Sequence, residues 1–487
     1  MNRMPFSFAA TAARLRESAV AWSFGSAALR VGAGVLVLPL MARALPPEQL
    51  GLWYVFLSIG MLVGLVDLGF SYTVSRAAGY LWAGSDRLLA FGYAPVPASA
   101  DGDGRPNFSL LGDLVATMRA YYRVLAVLVF LFLGLGGGAW IWAKTAGMAD
   151  ATSLRGAWLG YAAGSFLNMT AALWPALLSG VNGVRQGQQI VVVSQLLNYG
   201  LIAFGLLNHW GLWAMVVGNF AAGWAARVLG RECFLRLVGA ELRLQAHRWQ
   251  PELIRTLWPA AWRLGLVSVG GFMVTQANTL VCSEVLGLET TAAYGLSAQL
   301  VMLLAGLSGV WVQVKLPLIN QLRAQGRLAD IAPLFAGRMR LAVVTFLAGA
   351  VVIFWVAPWG LKLIHARTPL LAAPLLATLL VIRFLEMHHS LYGGLVLSEN
   401  QNPFVKPSLI SGVLIVVLSL GLTPEFGLWG LLLSAGLVQA GFSNWWTVVR
   451  ALRGLGAAGQ GYWKLFFGFA AVSVNAPARS GRKAGPG

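Results

Sequence analysis

Residues 30–70 read RVGAGVLVLPLMARALPPEQLGLWYVFLSIGMLVGLVDLGF, two apolar stretches separated by the short polar segment 43–49. Extended to residues 20 and 75, each stretch has the roughly 20 apolar residues that a helix needs to cross the hydrocarbon of a bilayer. The pattern predicts two antiparallel transmembrane helices joined by a tight turn. It also places Arg30 and Asp67 inside the predicted spans.

The same apolar pattern recurs along the whole chain of 487 residues. Hydrophobic residues make up 58% and charged residues only 11%, and the mean hydropathy is +0.70. A soluble domain carries about 25% charged residues. We therefore predict an all-α, polytopic membrane bundle of about 12 transmembrane helices. The predicted spans are 20–42, 50–75, 120–143, 156–179, 188–208, 211–230, 257–282, 291–316, 340–361, 370–397, 407–423 and 426–449.

Lysine and arginine distribute unequally between the two sides of this predicted bundle. Most of the 35 basic residues fall on the side of the amino-terminal segment. The other side holds only Arg43, Lys144, Arg155, Lys362 and Arg367. The positive-inside rule therefore predicts that both termini are cytoplasmic. We predict that the protein lies in the inner (cytoplasmic) membrane. The net charge of +18 is then explained by topology, and we expect no nucleic-acid partner.

A weak internal repeat predicts two similar halves. Gly211-Leu212-Trp213 and Gly427-Leu428-Trp429 each open the last span of a six-span block. Like halves in one orientation imply a pseudo-two-fold axis along the membrane normal. We predict an N-terminal six-helix half at 1–235, with a cytoplasmic insertion at 84–116, and a linker at 236–256. A C-terminal half at 257–453 precedes an interfacial helix and disordered basic tail at 454–487.

Three arginines are the candidate substrate-binding residues: Arg30, Arg263 and Arg383 lie within apolar spans. A cation near mid-membrane costs roughly 2.5–3.5 kcal/mol on insertion scales, so it normally faces a bundle interior or a watery cavity. We predict that the three form a cationic cavity for an anion. Alternatives remain open for each: Arg30 could pair with Asp67, Arg263 could extend to the headgroups, and Arg383 could pair with Glu386 at i+3.

Asp67, Glu386 and His388 are the candidates for ion coupling or for charge partners of the arginines, because titratable groups inside a bundle can link proton binding to transport. The sequence contains no nucleophile–base pair, metal-ligand cluster or phosphate loop. Its two cysteines, Cys233 and Cys282, have neither metal-ligand spacing nor a shared predicted compartment. We predict no enzymatic activity, no catalytic residue, no metal and no cofactor.

The run from Arg30 to Arg76 resembles a known transporter family. It contains Pro39-Leu40-Met41-Ala42-Arg43, then residues 45–53 (LPPEQLGLW), then Asp67-Leu68-Gly69-Phe70. These motifs are similar to the polysaccharide branch of the multidrug/oligosaccharidyl-lipid/polysaccharide (MOP) exporters, the Wzx-type flippases. The resemblance implies a MATE-like fold and movement of a polyprenyl-diphosphate-linked oligosaccharide from the cytoplasmic to the outer leaflet by alternating access. It also implies contact with membrane lipids and with other polysaccharide assembly proteins.

Two alternative functions stay open. One is a multidrug or cation extruder of the same superfamily, which usually needs a carboxylate in its bundle to bind organic cations. The other is a non-transporting scaffold of an envelope glycan assembly complex, which needs no anion site.

Overall fold

The computed structural model describes residues 19–90, 105–239, 242, 248–399 and 403–455. Throughout these ranges the regular structure is helical and no β-strand is present, as the hydropathy pattern predicts. Within the first helix, the side chains at 19–21, 24, 27 and 30 lie outside the description, as does the side chain at 324. The predicted tail beyond residue 455 and the middle of the predicted insertion, residues 91–104, are likewise outside it.

Backbone packing divides the chain into two compact units, Met1–Leu296 with Gly360–Leu370, and Ser297–Trp359 with Leu371–Gly487. The segment Gly360–Leu370 belongs to the first unit because the Arg367 backbone N–H donates to the carbonyl oxygen of Ala42, at 2.8 Å. The predicted domain boundaries at residues 235 and 257 stay a prediction.

The first of the described helices in the first unit begins at Ala19. The last of the series crosses from the first unit into the second after Leu296. They are α1 (Ala19–Ala44), α2 (Pro47–Val66), α3 (Phe70–Trp82), α4 (Phe108–Leu131), α5 (Gly138–Lys144), α6 (Ala151–Ala171), α7 (Leu173–Gly180), α8 (Val184–Leu207), α9 (Trp213–Val238), α10 (Pro251–Thr275), α11 (Ala277–Val285) and α12 (Gly287–Gln313). A π-helical turn, Phe132–Gly137, joins α4 to α5.

The second unit contains the end of α12 and the later helices, except that residues 360–363 of the helix Ala357–Leu363 belong to the first unit. They are α13 (Leu316–Ala324), α14 (Leu328–Val351), α15 (Ala357–Leu363), α16 (Ala373–Leu397), α17 (Val405–Phe426), α18 (Leu428–Val438) and α19 (Asn444–Gly454). π-Helical turns at Val352–Val356 and Gln439–Ser443 join α14 to α15 and α18 to α19.

Seven helical stretches of the described residues are long and apolar enough to cross a membrane by length and composition. They are Pro47–Val66, Phe108–Lys144, Val184–Leu207, Pro251–Val285, Gly287–Arg323, Leu328–Leu363 and Val405–Phe426. The other predicted spans are also helical, but they are shorter, interrupted or less apolar. Helix α16, for example, contains Arg383, Glu386 and His388. The chain is an all-α, multi-pass membrane protein.

Several predicted spans consist of two helices. The span predicted at 50–75 breaks at Asp67, because Leu68 and Gly69 take positive φ angles of 48° and 77°. The span predicted at 257–282 breaks at Gln276, between α10 and α11. Helix α4 begins at Phe108 after an Asn107 cap, whose side-chain oxygen accepts from the Leu110 N–H at 3.1 Å. The end of the predicted insertion is therefore helical.

The two glycines of the predicted repeat have similar φ angles close to the start of a helix. Gly211 (φ 57°) lies two residues before α9, and Gly427 (φ 58°) lies directly before α18. A residue with a Cβ rarely adopts this left-handed conformation, so glycine is favoured at both sites.

Candidate functional site

The three predicted arginines lie on α1, α10 and α16. Each is 10–12 residues from the start of its helix, which is roughly 15–18 Å along the helix axis. The side chain of Arg30 lies outside the description, so its role stays a prediction. Arg263 belongs to the first unit and Arg383 to the second.

Arg263 is exposed on α10, in the segment 257–274 that contains no other charged residue. Its guanidinium carbon lies 5.9 Å from the ring centroid of Trp262. A guanidinium at this distance from an aromatic face is attracted by the ring quadrupole. Arg263 is thus a cation that is held at its helix surface and remains accessible there.

The break between α2 and α3 packs directly on the part of α10 that carries Arg263. A Cβ added to Gly69 would lie 2.5 Å from Leu264 Cβ, and one added to Gly265 would lie 2.9 Å from Leu68 Cα. Farther along α2, Ser58 Oγ donates to the side-chain oxygen of Gln276 at 3.2 Å. Helices α2 and α10 therefore pack antiparallel. One of the two contacts involves the break after α2, and the other involves the break at Gln276 after α10.

Asp67 accepts hydrogen bonds at this break. Tyr122 on α4 donates its hydroxyl proton to Asp67 Oδ1 at 2.5 Å, and the Ser71 N–H donates to Asp67 Oδ2 at 3.1 Å. Ser71 Oγ also lies 3.1 Å from Oδ1. Hydrogen bonds to a charged acceptor are stronger than those between neutral groups. The carboxylate thereby holds the start of α3 against α4.

In the second unit, Arg383 and Glu386 form an ion pair on one face of α16. Arg383 Nη1 and Glu386 Oε2 lie 2.5 Å apart, and the two side chains are only 12% and 21% exposed. The alternative i+3 pairing is therefore present. The Glu386 carboxylate offsets much of the positive charge of Arg383.

His388 lies two residues after Glu386 on α16, and only 5% of its surface is exposed. Its Nδ1 lies 2.8 Å from Asn444 Oδ1, so Nδ1 carries a proton and donates it. Asn444 follows the π-helical turn Gln439–Ser443 directly. π-Helical turns of this kind occur frequently at functional sites. Glu386 and His388 are two residues apart on this helix, so their side chains point to different faces.

A cluster around Glu399 was missed by the sequence analysis. Arg450 on α19 binds both carboxylate oxygens of Glu399, at 2.5 and 3.3 Å. Arg323 on α13 lies 3.9 Å from the same carboxylate, and its Nε donates to Ser398 Oγ at 2.9 Å. An acidic residue between two predicted spans was the available signal. The three side chains are only 13–30% exposed and join the ends of three helices.

Metal ligation has no support within the described ranges, because no three His, Cys, Asp or Glu side chains come together there. Cys233 and Cys282, both described, are free thiols.

Comparisons with known proteins identify the fold. Neither a protein-family model nor a curated protein matches the sequence. Among solved structures, the chain is similar to an inward-facing multidrug resistance MATE family transporter of the MOP superfamily. The TM-score is 0.61 at 13% identity, over 87% of this chain and 95% of that one. The fold is MATE-like.

Two further structures with this MATE-like fold are similar over most of their length. The lipid II flippase MurJ in an inward closed conformation has a TM-score of 0.61 at 12% identity, covering 92% of this chain and 89% of that one. The MATE multidrug transporter DinF-BH, solved as a complex, has a TM-score of 0.56 at 15% identity, covering 93% and 96%. The three structures are those of two multidrug transporters and a lipid II flippase.

Proposed function

We propose that this protein is a flippase that moves a polyprenyl-diphosphate-linked oligosaccharide from the cytoplasmic to the outer leaflet of the inner membrane. Arg30, Arg263 and Arg383 line its anion-binding cavity, and both termini are cytoplasmic. The MATE-like fold supports the transporter class, and the resemblance of residues 30–76 to Wzx-type exporters supports the substrate class.

The observation that carries the proposal is the exposure of Arg263 in a segment of α10, residues 257–274, that contains no other charged residue. An arginine inside a membrane protein is costly unless it faces water or an anionic partner. Guanidinium groups bind phosphate oxygens through two parallel N–H donors, which suits a diphosphate. We therefore assign Arg263 to the diphosphate.

Energy for export comes in part from the membrane potential in this proposal. Each elementary charge that crosses 100 mV gains about 2.3 kcal/mol. Two net negative charges leaving a negative interior gain roughly twice that amount. Asp67, Glu386 and His388 are the groups that would couple a proton to the movement, because each is held in a hydrogen bond or ion pair that protonation would alter.

The test measures the leaflet of the lipid-linked oligosaccharide in a deletion strain that has no second flippase. The strain is complemented with wild type, Arg263→Gln or Arg255→Gln. Arg255 is a matched control, since it is also exposed on α10 but lies two turns nearer the start of the helix. We expect cytoplasmic accumulation that wild type and Arg255→Gln reverse and Arg263→Gln does not. Normal export in the deletion strain would reject the proposal.

A multidrug extruder is the second candidate, because two of the similar structures are multidrug transporters. Binding of organic cations usually requires an available carboxylate. Asp67 and Glu386 are instead engaged by Tyr122 and Arg383, which favours the flippase. Changed resistance to cationic dyes on deletion, with glycan export intact, would support the extruder. A scaffold role predicts export that is indifferent to all three arginines.

A further inference from the structure

Four arginines of the first unit gather at one level of the bundle, apart from the proposed cavity residues. They are Arg119 and Arg123 on α4, and Arg227 and Arg231 on α9. Each pair is spaced i, i+4, so its two side chains lie on one face of a helix. Arg119, Arg123 and Arg231 are exposed and Arg227 is half-buried.

The register of the helices places the two pairs together. Helix α6 contacts both α4 and α9. It packs back against α4 after the short loop 145–150, and Trp158 Nε1 donates to the Leu133 carbonyl oxygen at 2.9 Å, so α6 and α4 run antiparallel. Helix α9 runs parallel to α6, because a Cβ on Gly164 would lie 3.2 Å from Asn219 Nδ2 and, farther along both helices, a Cβ on Gly223 would lie 2.9 Å from Asn168 Oδ1. Counting along both helices from these contacts brings Arg119 to the level of Arg227.

Two interactions confirm this placement. Arg227 Nη1 donates to Thr170 Oγ1, at the end of α6, over 3.0 Å. The guanidinium group of Arg119 is partly buried and lies close enough to the other three arginines for their positive charges to act on it. Among the described carboxylates, Glu232 lies 3.7 Å from Arg231, while none lies within 4.0 Å of the other three guanidinium groups. Asp113, nearer the start of α4, accepts instead from the Arg248 N–H and the Gln250 side chain. The cluster therefore has a surplus of positive charge.

Both arginine pairs continue exposed apolar stripes. On α4 the stripe contains Val124, Leu128 and Leu131, which are 47–59% exposed, and on α9 it contains Phe220 and Trp224. Because the two helices are antiparallel, both stripes extend from the arginines towards the same side of the bundle. An apolar stripe that ends in clustered guanidinium groups matches a lipid, with acyl chains along the stripe and a phosphate at its end.

We propose that Arg119, Arg123, Arg227 and Arg231 bind the phosphate of an anionic glycerophospholipid in the surrounding leaflet. Positive-inside topology accounts for basic residues on this side, but it does not require four of them to be placed where they repel one another. Basic pockets between transmembrane helices on the cytoplasmic side bind acidic head groups. The site is independent of the proposed transport function.

The test is native mass spectrometry of the full-length protein in mixed micelles containing phosphatidylglycerol or phosphatidylcholine. The variants are R119Q/R123Q and R227Q/R231Q. R248Q/R255Q is the control, since it removes the same charge from two other exposed arginines of this unit. Each arginine near an anionic surface contributes roughly five-fold in binding, equivalent to about 1 kcal/mol. We therefore expect each double variant to bind phosphatidylglycerol roughly thirty-fold more weakly, and the control to bind as wild type does.

Retention of phosphatidylcholine by all variants would show that the micellar protein is intact. R119K/R123K keeps the charge and should retain most of the binding if the variants fold. Equal loss in the control would show a general charge effect and overturn the site. Preferential binding of polyprenyl phosphate that phosphatidylglycerol does not displace would assign the cluster to the transported substrate, and this result would also overturn the proposal.

Discussion

Glu399 provides the sharpest test of how the second unit is held together. Its carboxylate is the shared partner of Arg450 and Arg323, and these residues join α16, α19 and α13. Glu399→Gln keeps the size of the side chain and removes its charge. We expect this single change to leave two poorly solvated guanidinium groups without their counter-ion.

The expected magnitude follows from burial. Removing one partner of a buried ion pair costs about 3–5 kcal/mol, whereas an exposed pair contributes about 0–1 kcal/mol. Glu399 and Arg323 are 13% and 15% exposed and Arg450 is 30% exposed. The cluster lies near the buried limit, with some solvent screening at Arg450. We therefore expect Glu399→Gln to lower the free energy of unfolding by about 2–4 kcal/mol.

The assay is thermal or denaturant unfolding of the purified protein in one detergent, with Asp330→Asn as the control. Asp330 pairs with Arg327 at 2.7 Å, but these side chains are 49% and 61% exposed. The control should therefore change stability by less than about 1 kcal/mol. The double variant Glu399→Gln/Arg450→Gln should be less destabilised than the sum of its single variants, because it leaves one fewer unpaired charge.

Equal stability of Glu399→Gln and Asp330→Asn would refute the reasoning. Additive effects in the double-mutant cycle would also refute it, because they would mean that Glu399 and Arg450 do not act on each other.

Three further predictions concern the other contacts. Gly265→Ala should destabilise the protein, because the added Cβ would lie 2.9 Å from Leu68 Cα. Gly271→Ala is the control on the same helix, since the added Cβ would meet open space. Unfolding of both variants checks this difference in stability. Tyr122→Phe should cost about 1.5–3 kcal/mol by removing the hydrogen bond to Asp67, and Asp67→Asn should make that cost smaller. Equal costs of Tyr122→Phe in the two backgrounds would argue against the charged hydrogen bond. Asn444→Leu should destabilise more than His388→Leu/Asn444→Leu, since the single change leaves a buried imidazole N–H without its acceptor; the reverse order would contradict the assigned bond.

The helices were predictable because hydropathy directly reports which segments avoid water. The ends of the helices and the breaks within them were less predictable from the sequence. The span predicted at 120–143 is the apolar part of a helical stretch that begins at Phe108, since a helix can continue past the hydrocarbon without any change in its backbone. The break at Asp67–Gly69 depends on the packing of Leu68 against Gly265 on a helix nearly 200 residues away.

The candidate site was predictable in part. A charge in an apolar span is visible in the sequence, so Arg263, Arg383 and Asp67 could be selected without a structure. The i+3 spacing also suggested the Arg383–Glu386 pair, because local helix geometry fixes that contact. The partners Tyr122 and Asn444 could not be selected, since each lies more than 50 residues from the group it contacts.

The sequence by itself determined the class of the protein, an all-α membrane bundle, because the need to satisfy every backbone hydrogen bond in lipid leaves helices as the outcome for long apolar segments. It also determined where the costly intramembrane charges lie. Only the tertiary structure decided which groups distant in the sequence become partners. Glu399 binds arginines from two other helices, and Asp67 accepts from Tyr122. Hydropathy measures the transfer of each residue into the membrane, whereas pairing depends on which helices become neighbours.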